Sequence, residues 1–201
     1  MKYLLTIVIA ISSVTIAQDA PQIPGWGVYV GGAMNGVTID PEGEGITYGR
    51  ELNVPFVGVS RGIQILGFPI PLLVGGGLGK RGFNTEYDGI DFKSSNSTNW
   101  LDVWATIPYP VGPVIAQVGL VYGTGLGTGV NKTEMNGETT EEDLEGEFGD
   151  VTDLGLLLGA AYPINEKIGI NFGYALGLKD HGSDGVKMKY NGLYLLLGYN
   201  F

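Results

Sequence analysis

Large and small residues alternate most clearly in residues 168–178, which read Ile168-Gly169-Ile170-Asn171-Phe172-Gly173-Tyr174-Ala175-Leu176-Gly177-Leu178. Every even position is large and apolar, whereas every odd position is glycine, alanine or asparagine. A period of two is typical of a β-strand, because its successive side chains point to opposite faces of the sheet. The stretch therefore predicts a strand with one apolar face and one small or polar face.

The same alternation occurs in residues 99–107, 114–123 and 152–162, where Trp100 and Trp104 are the clearest exceptions on the small face. Glycine is the commonest residue on that face, although it weakens a strand unless backbones must approach closely. The narrow lumen of an eight-stranded barrel is a place that needs such close approach. We therefore expect the small face to line a lumen and the large apolar face to meet lipid.

The pattern predicts eight strands, at about 26–37, 50–66, 70–84, 98–108, 114–125, 151–162, 168–179 and 190–201. Short connections (67–69, 109–113 and 163–167) alternate with long ones (38–49, 85–97, 126–150 and 180–189). Short periplasmic turns and long external loops are typical of outer-membrane barrels. The predicted fold class is all-β: a transmembrane, antiparallel, up-and-down β-barrel with both termini in the periplasm.

Aromatic-proline pairs stand at all three short turns: Phe68-Pro69, Tyr109-Pro110 and Tyr162-Pro163. Proline ends ladder pairing, and aromatic residues form girdles where a barrel meets the membrane interface. Trp26, Tyr199 and Phe201 are expected to join this inner girdle.

The first residues predict a secretory signal peptide. Lys2 precedes an apolar run that is too short to span a membrane as a helix, for which about 20 residues are needed. Thr15 and Ala17 are small residues that fit a cut before Gln18. The predicted domains are a signal peptide over 1–17 and an outer-membrane barrel over 18–201.

Composition excludes several other classes of protein. The chain of 201 residues has no cysteine, which excludes a disulfide scaffold and a cysteine metal site. Its formal net charge of −10 argues against nucleic-acid binding, which needs clustered lysine and arginine.

The final strand ends Leu193-Tyr194-Leu195-Leu196-Leu197-Gly198-Tyr199-Asn200-Phe201. Its terminal phenylalanine and alternate apolar partners resemble the segment that the barrel-assembly machinery recognises in Gram-negative outer-membrane proteins. Over residues 18–201 the chain resembles the small eight-stranded barrels of the OmpA/OmpX type, a porin-like group. That resemblance implies location and fold, and a range of functions that includes membrane integrity, adhesion, small pores and lipid enzymes.

Seven polar residues are expected to face the lumen. On the lipid face, an Arg or Lys side chain at the bilayer midplane would destabilise the barrel by about 2–4 kcal/mol. Inward placement avoids this loss of stability. Pro55 is expected to mark a bulge that resets the register of residues 50–66. The predicted lumen residues are Arg61, Arg81, Asp102, Gln117, Asp153, Asn171 and Lys179. They either pair and plug the lumen or act as a gate whose ion pairs exchange partners.

Acidic residues concentrate in the predicted outer loops, which hold 16 of the 21. The largest group lies in 126–150 and is opposed by Lys132 alone; it comprises Glu134, Glu138, Glu141, Glu142, Asp143, Glu145, Glu147 and Asp150. Like-charge runs are usually solvated loops. The functional alternative is capture of divalent cations or docking of a basic partner.

Enzyme chemistry has one candidate, His181 with the nearby Ser183, but so local a pair in a glycine-rich turn rarely forms a working triad. We expect no enzyme, no cofactor and no dedicated metal site. The leading hypothesis is a structural or surface-display role in envelope integrity, adhesion or contact with cations and partners. The alternative is a narrow porin-like conduit for small solutes, and the remote alternative is a lipid enzyme. Expected partners are outer-membrane lipid, lipopolysaccharide and the barrel-assembly machinery.

Overall fold

The computed structural model describes residues 25–66, 71–144 and 151–201, and within them it contains nine β-strands and no helix. The strands are β1 Trp26–Asp40, β2 Ile46–Ile63, β3 Leu72–Tyr87, β4 Phe92–Val111, β5 Val114–Met135, β6 Glu138–Leu144, β7 Thr152–Pro163, β8 Ile168–Gly177 and β9 Lys187–Asn200. Across these same ranges, no helical segment has the length and apolar character needed to cross a membrane. The predicted signal peptide and Phe68-Pro69 lie outside the described residues.

Eight of the strands close into an antiparallel ring. Each pairs with its neighbour in the order β1-β2-β3-β4-β5-β7-β8-β9, and β9 returns to β1 along residues 27–40. Closure pairs the backbone groups of every ring strand on both sides, which a sheet in hydrocarbon requires. The predicted eight-stranded barrel is confirmed; the ninth strand, β6, pairs with the outer part of β5 and lies outside the ring.

The outer connections are shorter than predicted, because the strands continue through much of the expected loops. The turns that remain are 41–45, 88–91 and 136–137, where Gly45, Gly89 and Asn136 have positive φ values. Such residues suit tight hairpins, which let the polar strands beyond the membrane keep pairing. The predictions of long loops at 38–49, 85–97 and 126–150 are therefore wrong in part, whereas the segment before Lys187 remains a loop.

The outward face of the ring is apolar. Side chains at its middle, such as Val103, Leu120 and Leu195, are 48%, 51% and 62% exposed. Similar residues recur on all eight ring strands, so they form a continuous apolar band. A protein in water rarely exposes an apolar surface of this size. At the inner end, Trp26, Tyr162 and Tyr199 are exposed and flank this band, as a girdle requires. The large faces therefore meet lipid.

Pro55 lies where β2 changes register, as predicted. Leu52 and Val54 face outward before it, whereas Val57 and Val59 face outward after it. The pairings of β2 with both neighbours shift across the same stretch. The extra residues therefore reverse which positions of β2 face the lumen.

The lumen is filled by aromatic rings that lie against glycines. The Trp104 ring centroid is 6.5 Å from that of Tyr29 and 6.1 Å from that of Phe56. A Cβ atom at Gly77 would lie 2.5 Å from Cζ of Phe56, and one at Gly75 would overlap the Trp104 indole. Because these glycines have no side chain, they leave the space that large inward side chains occupy. This explains how a tryptophan can lie on the face of small residues.

Adjacent glycines of β3 provide a test of this packing. Gly75→Ala should destabilise the barrel by about 1–3 kcal/mol, because the added methyl meets Trp104 and a Val59 carbonyl oxygen 2.6 Å away. Gly76→Ala should change little, because its Cβ would be 3.5 Å from the nearest atom, the Asp102 carbonyl oxygen. Urea unfolding in lipid vesicles measures both. Equal effects would contradict close packing of the ring against Gly75.

Candidate functional site

An ion-pair cluster, formed by Arg81, Asp102 and Asp153, lies at the outer end of the lumen. Asp102 on β4 and Asp153 on β7 flank Gly123 of β5 in one row of the sheet. Arg81 on β3 reaches both carboxylates: Nη2 is 2.5 Å from Oδ1 of Asp102, and Nη1 is 2.8 Å from Oδ2 of Asp153. One guanidinium therefore joins three strands across the lumen.

Side chains that were not predicted complete this cluster. The Arg81 guanidinium carbon lies 4.4 Å from the ring centroid of Trp100, which is 1% exposed. Nε2 of His181 is 3.2 Å from Oδ1 of Asp153. Tyr190 packs edge-on against both rings, at 5.7 Å from Trp100 and 5.1 Å from His181. The outer end of the lumen is thus occupied by one connected group of charged and aromatic side chains.

The charges in the cluster nearly balance. Arg81 offsets one of the two carboxylates, and the second faces His181, so the net charge is −1 with neutral imidazole and zero with imidazolium. The Asp153 side chain is only 4% exposed and Arg81 only 13%, so neither charge is well solvated. Removal of one member of a buried pair is costly because it leaves an uncompensated charge.

Two local features permit this geometry. Gly123 leaves space, since its Cβ would lie 2.8 Å from Nη2 of Arg81 and 3.0 Å from Cε3 of Trp100. In the loop after β8, Oδ1 of Asp180 accepts hydrogen bonds from the backbone N–H groups of Gly182 and Met188, at 3.0 and 2.9 Å. These bonds lower the pKa of Asp180 and hold the loop so that the adjacent His181 reaches Asp153.

Gln117 and Asn171 line the lumen at a different level. Gln117 precedes Gly123 by six residues on β5, a separation of about 20 Å along the strand. Both residues border a cavity of about 130 Å³ that extends towards the inner end from the ion-pair cluster. The predicted lumen residues therefore divide into an outer charged group and an inner neutral group.

Arg61 does not enter the lumen, which corrects the prediction. Because the register of β2 reverses near Pro55, Arg61 is exposed on the outward face, with its guanidinium carbon 5.2 Å from the Trp26 ring centroid. Trp26 lies in the inner aromatic girdle. The guanidinium of Arg61 beside it can therefore reach the polar interface of the membrane.

Lys179 also lies outside the cluster. The N–H groups of Leu178 and Lys179 both donate to the Leu154 carbonyl, at 2.7 and 3.3 Å, so two residues oppose one as in a β-bulge. The alternation that predicted an inward lysine ends there. Lys179 is exposed, and its ammonium donates to Oγ1 of Thr152 at 2.7 Å.

The acidic residues of the predicted outer loop lie mainly on a hairpin formed by the outer part of β5 and β6. Those described are exposed: Glu134, Glu138, Glu141, Glu142 and Asp143. Glu145, Glu147 and Asp150 lie outside the described residues. Within the described ranges, no group of three or more His, Asp or Glu side chains is arranged to hold a metal ion.

His181 and Ser183 have separate surroundings. His181 contacts Asp153 and Tyr190, whereas Ser183 is exposed and its carbonyl accepts a hydrogen bond from Val186 in a turn. The histidine is therefore part of the ion-pair cluster. Its single occurrence in the sequence could have drawn attention to it, but its partner on β7 is distant along the chain.

Comparisons with known proteins agree with this architecture. Residues 6–201 match the family model described as outer membrane protein beta-barrel domain. The chain therefore belongs to this family, which places it among the Gram-negative outer-membrane barrels. No curated protein matches its sequence.

Several solved structures are similar in fold. Neisserial surface protein A is 14% identical, with 90% of this chain and 100% of that one covered and a TM-score of 0.50. OprG from Pseudomonas aeruginosa is 16% identical, with 92% and 99% covered and a TM-score of 0.46. The attachment invasion locus protein Ail of Yersinia pestis is 16% identical, with 89% and 99% covered and a TM-score of 0.44. At such identities the similarity concerns the fold alone.

Two basic residues near the outer end test the ion-pair cluster. Arg81→Met should lower the free energy of unfolding by about 3–5 kcal/mol, because two buried carboxylates lose their shared partner. Lys179→Met should change it by no more than about 0.5 kcal/mol, because that side chain is exposed. Urea titration in lipid vesicles measures both. Asp102→Asn added to Arg81→Met should restore part of the loss; small, equal effects of the two single changes would contradict the assignment.

Proposed function

We propose that this protein presents an acidic hairpin at the cell surface, and that the barrel anchors it in the outer membrane. The carrying observation is the β5–β6 hairpin, residues 129–144, which is built of paired strand beyond the ring. Surface contact with basic partners, and through it adhesion or envelope integrity, is the function that this arrangement supports best.

The length of β5 supports a hairpin that projects from the membrane. A spanning strand needs about 9–11 residues, and β5 has 22. Only residues 115–124 pair with β7, whereas residues 129–135 pair with β6 instead. The outer third of β5 thus extends past the end of β7, paired with β4 on one side and with β6 on the other. This pairing carries its acidic residues away from the lipid on a firm support.

The charge of the hairpin selects a partner class. All five described acidic side chains are exposed, and Lys132, opposite Glu141, is the only cation between residues 126 and 150. Like charges on a paired support cannot move apart freely, so their field favours a cationic partner and disfavours an anionic one.

The membrane context supplies further proposed partners. Outer-membrane lipid surrounds the apolar band, and lipopolysaccharide would face the hairpin at the outer leaflet. Divalent cations would bridge its acidic residues to anionic head groups. Strand β9, together with Phe201 that follows it, would engage the barrel-assembly machinery after export by a signal peptide over residues 1–17. A non-enzymatic role fits these contacts.

Charge neutralisation tests the surface role. A variant with Glu138→Gln, Glu141→Gln, Glu142→Gln and Asp143→Asn should bind a lysine-rich peptide about ten-fold more weakly at low salt, because the hairpin loses most of its field. Binding to cells carrying the full-length protein, measured over a range of ionic strength, gives the readout.

The control changes an equal number of exposed acidic residues in other turns: Glu42→Gln, Glu44→Gln, Asp88→Asn and Asp91→Asn. It alters net charge by the same amount and should retain most of the binding. Equal losses in the two variants would show a response to overall charge and contradict a role for the hairpin. Deletion of 130–148 should leave the ring folded, since the β5–β7 pairing ends at Thr124 and Thr152.

A second candidate function is a conduit for small solutes. The cavity below the ion-pair cluster is the observation that favours it, since it occupies the lumen between that cluster and the inner end. The cluster is then the barrier to passage. Exchange of ion-pair partners would open it. Lys179 would take no part, because it is exposed and its ammonium donates to Thr152 instead of a cluster carboxylate.

Planar-bilayer recording separates these two candidates. The wild-type protein should be silent, because Arg81, Asp102 and the aromatic rings occupy the outer lumen. Arg81→Ala should produce discrete conductance steps, since it removes the side chain that bridges three strands. Reproducible steps from the wild type would instead favour the conduit, and a heat-dependent gel shift confirms that each sample is folded.

A further inference from the structure

The lumen cavity is large enough to hold a small organic molecule. Its volume is about 130 Å³, and an apolar cavity of about 150 Å³ in another protein stays dry and binds benzene. The ion-pair cluster borders the outer end of the cavity. Its Arg81 is already paired with both Asp102 and Asp153. Lys80 also borders the cavity, where its carbonyl accepts a hydrogen bond from Asn35, but the residue is exposed. The other lining residues outside the cluster are neutral, which favours an uncharged ligand.

Aromatic rings form much of the cavity wall. Tyr29, Phe56 and Trp104 all border it, and Tyr194 joins them from β9. The Trp104 ring is held between the glycine at position 75 and the neighbouring rings, so it is positioned before any ligand arrives. Rings arranged edge-on or tilted offer faces and edges that a further aromatic ring can contact.

One polar group in this wall lacks a partner. The Thr106 residue is 4% exposed and borders the cavity, and its Oγ1 has no hydrogen-bond partner among the described residues. A buried hydroxyl is normally hydrogen-bonded, because leaving one unpaired is unfavourable. A ligand hydroxyl or carbonyl would satisfy it.

We propose that the lumen binds a small, neutral, single-ring aromatic alcohol, of which phenol is the simplest example. The ring would lie against Trp104. Because Oγ1 of Thr106 is buried, the threonine side chain would turn about its Cα–Cβ bond so that Oγ1 pairs with the ligand hydroxyl. Binding of this kind needs neither the acidic hairpin nor passage through the barrel, so its failure and the failure of the proposed function are distinguishable.

The test is ¹⁹F NMR titration of 4-fluorophenol into the folded mature chain in detergent, with unlabelled phenol as competitor. Wild-type protein should give saturable, competed binding. Thr106→Val should weaken it by about five- to ten-fold through loss of one hydrogen bond. The same variant should bind fluorobenzene as well as the wild type does, because that ligand has no hydroxyl.

A matched pair on β7 controls for partition into detergent. Leu157 borders the cavity, whereas Leu158 is 46% exposed on the lipid face. Leu157→Trp should abolish binding and Leu158→Trp should preserve it; Ala175→Leu fills the same cavity from β8 if Leu157→Trp fails to fold. Equal signals from wild type, both tryptophan variants and Ala175→Leu would overturn the proposal. So would binding that Thr106→Val leaves unchanged.

Discussion

Closure of eight antiparallel strands is the constraint on which the rest of this structure depends. In hydrocarbon an unpaired backbone group is costly, so the sheet must close, and eight strands leave a lumen only wide enough for side chains. Each inward side chain must therefore fit the volume that its neighbours leave in the lumen. Trp104 and Phe56 are accommodated because the facing positions of β3 are glycines. Arg81 is accommodated because its two terminal nitrogens, Nη2 and Nη1, form ion pairs with Asp102 and Asp153.

The same constraint separates the molecule into two functional regions. Inside the ring, side chains are packed or paired, and the remaining space is a neutral cavity below the ion-pair cluster. Outside it, the strands continue as polar hairpins, and β6 has one edge that is unpaired among the described residues. Acidic residues on such an edge also discourage edge-to-edge association of barrels. Charge on β6 can thus protect the edge and favour cationic partners together.

Sequence reasoning succeeded where the period of two is uninterrupted. Asp102, Gln117, Asp153 and Asn171 occur in regular strands, and their inward placement follows from parity alone. It failed for Arg61 and Lys179, because each follows an irregularity that reverses the alternation of faces. For Arg61 this irregularity lies near Pro55 on β2, and for Lys179 it lies opposite Leu154, after β8. His181 was missed as a member of the cluster because a loop carries it to Asp153, and a loop has no period to read.

The sequence by itself determined the strand class, the ring of eight, the lipid-facing side and the concentration of acidic residues beyond the membrane. All of these follow from local alternation and composition, which adjacent residues specify. Only the tertiary structure decided which charges meet, where β2 reverses its faces, and that an expected loop is the paired β5–β6 hairpin. These depend on contacts between residues far apart in the chain, such as Arg81 with Asp153, whose geometry is set by the register of several strands at once.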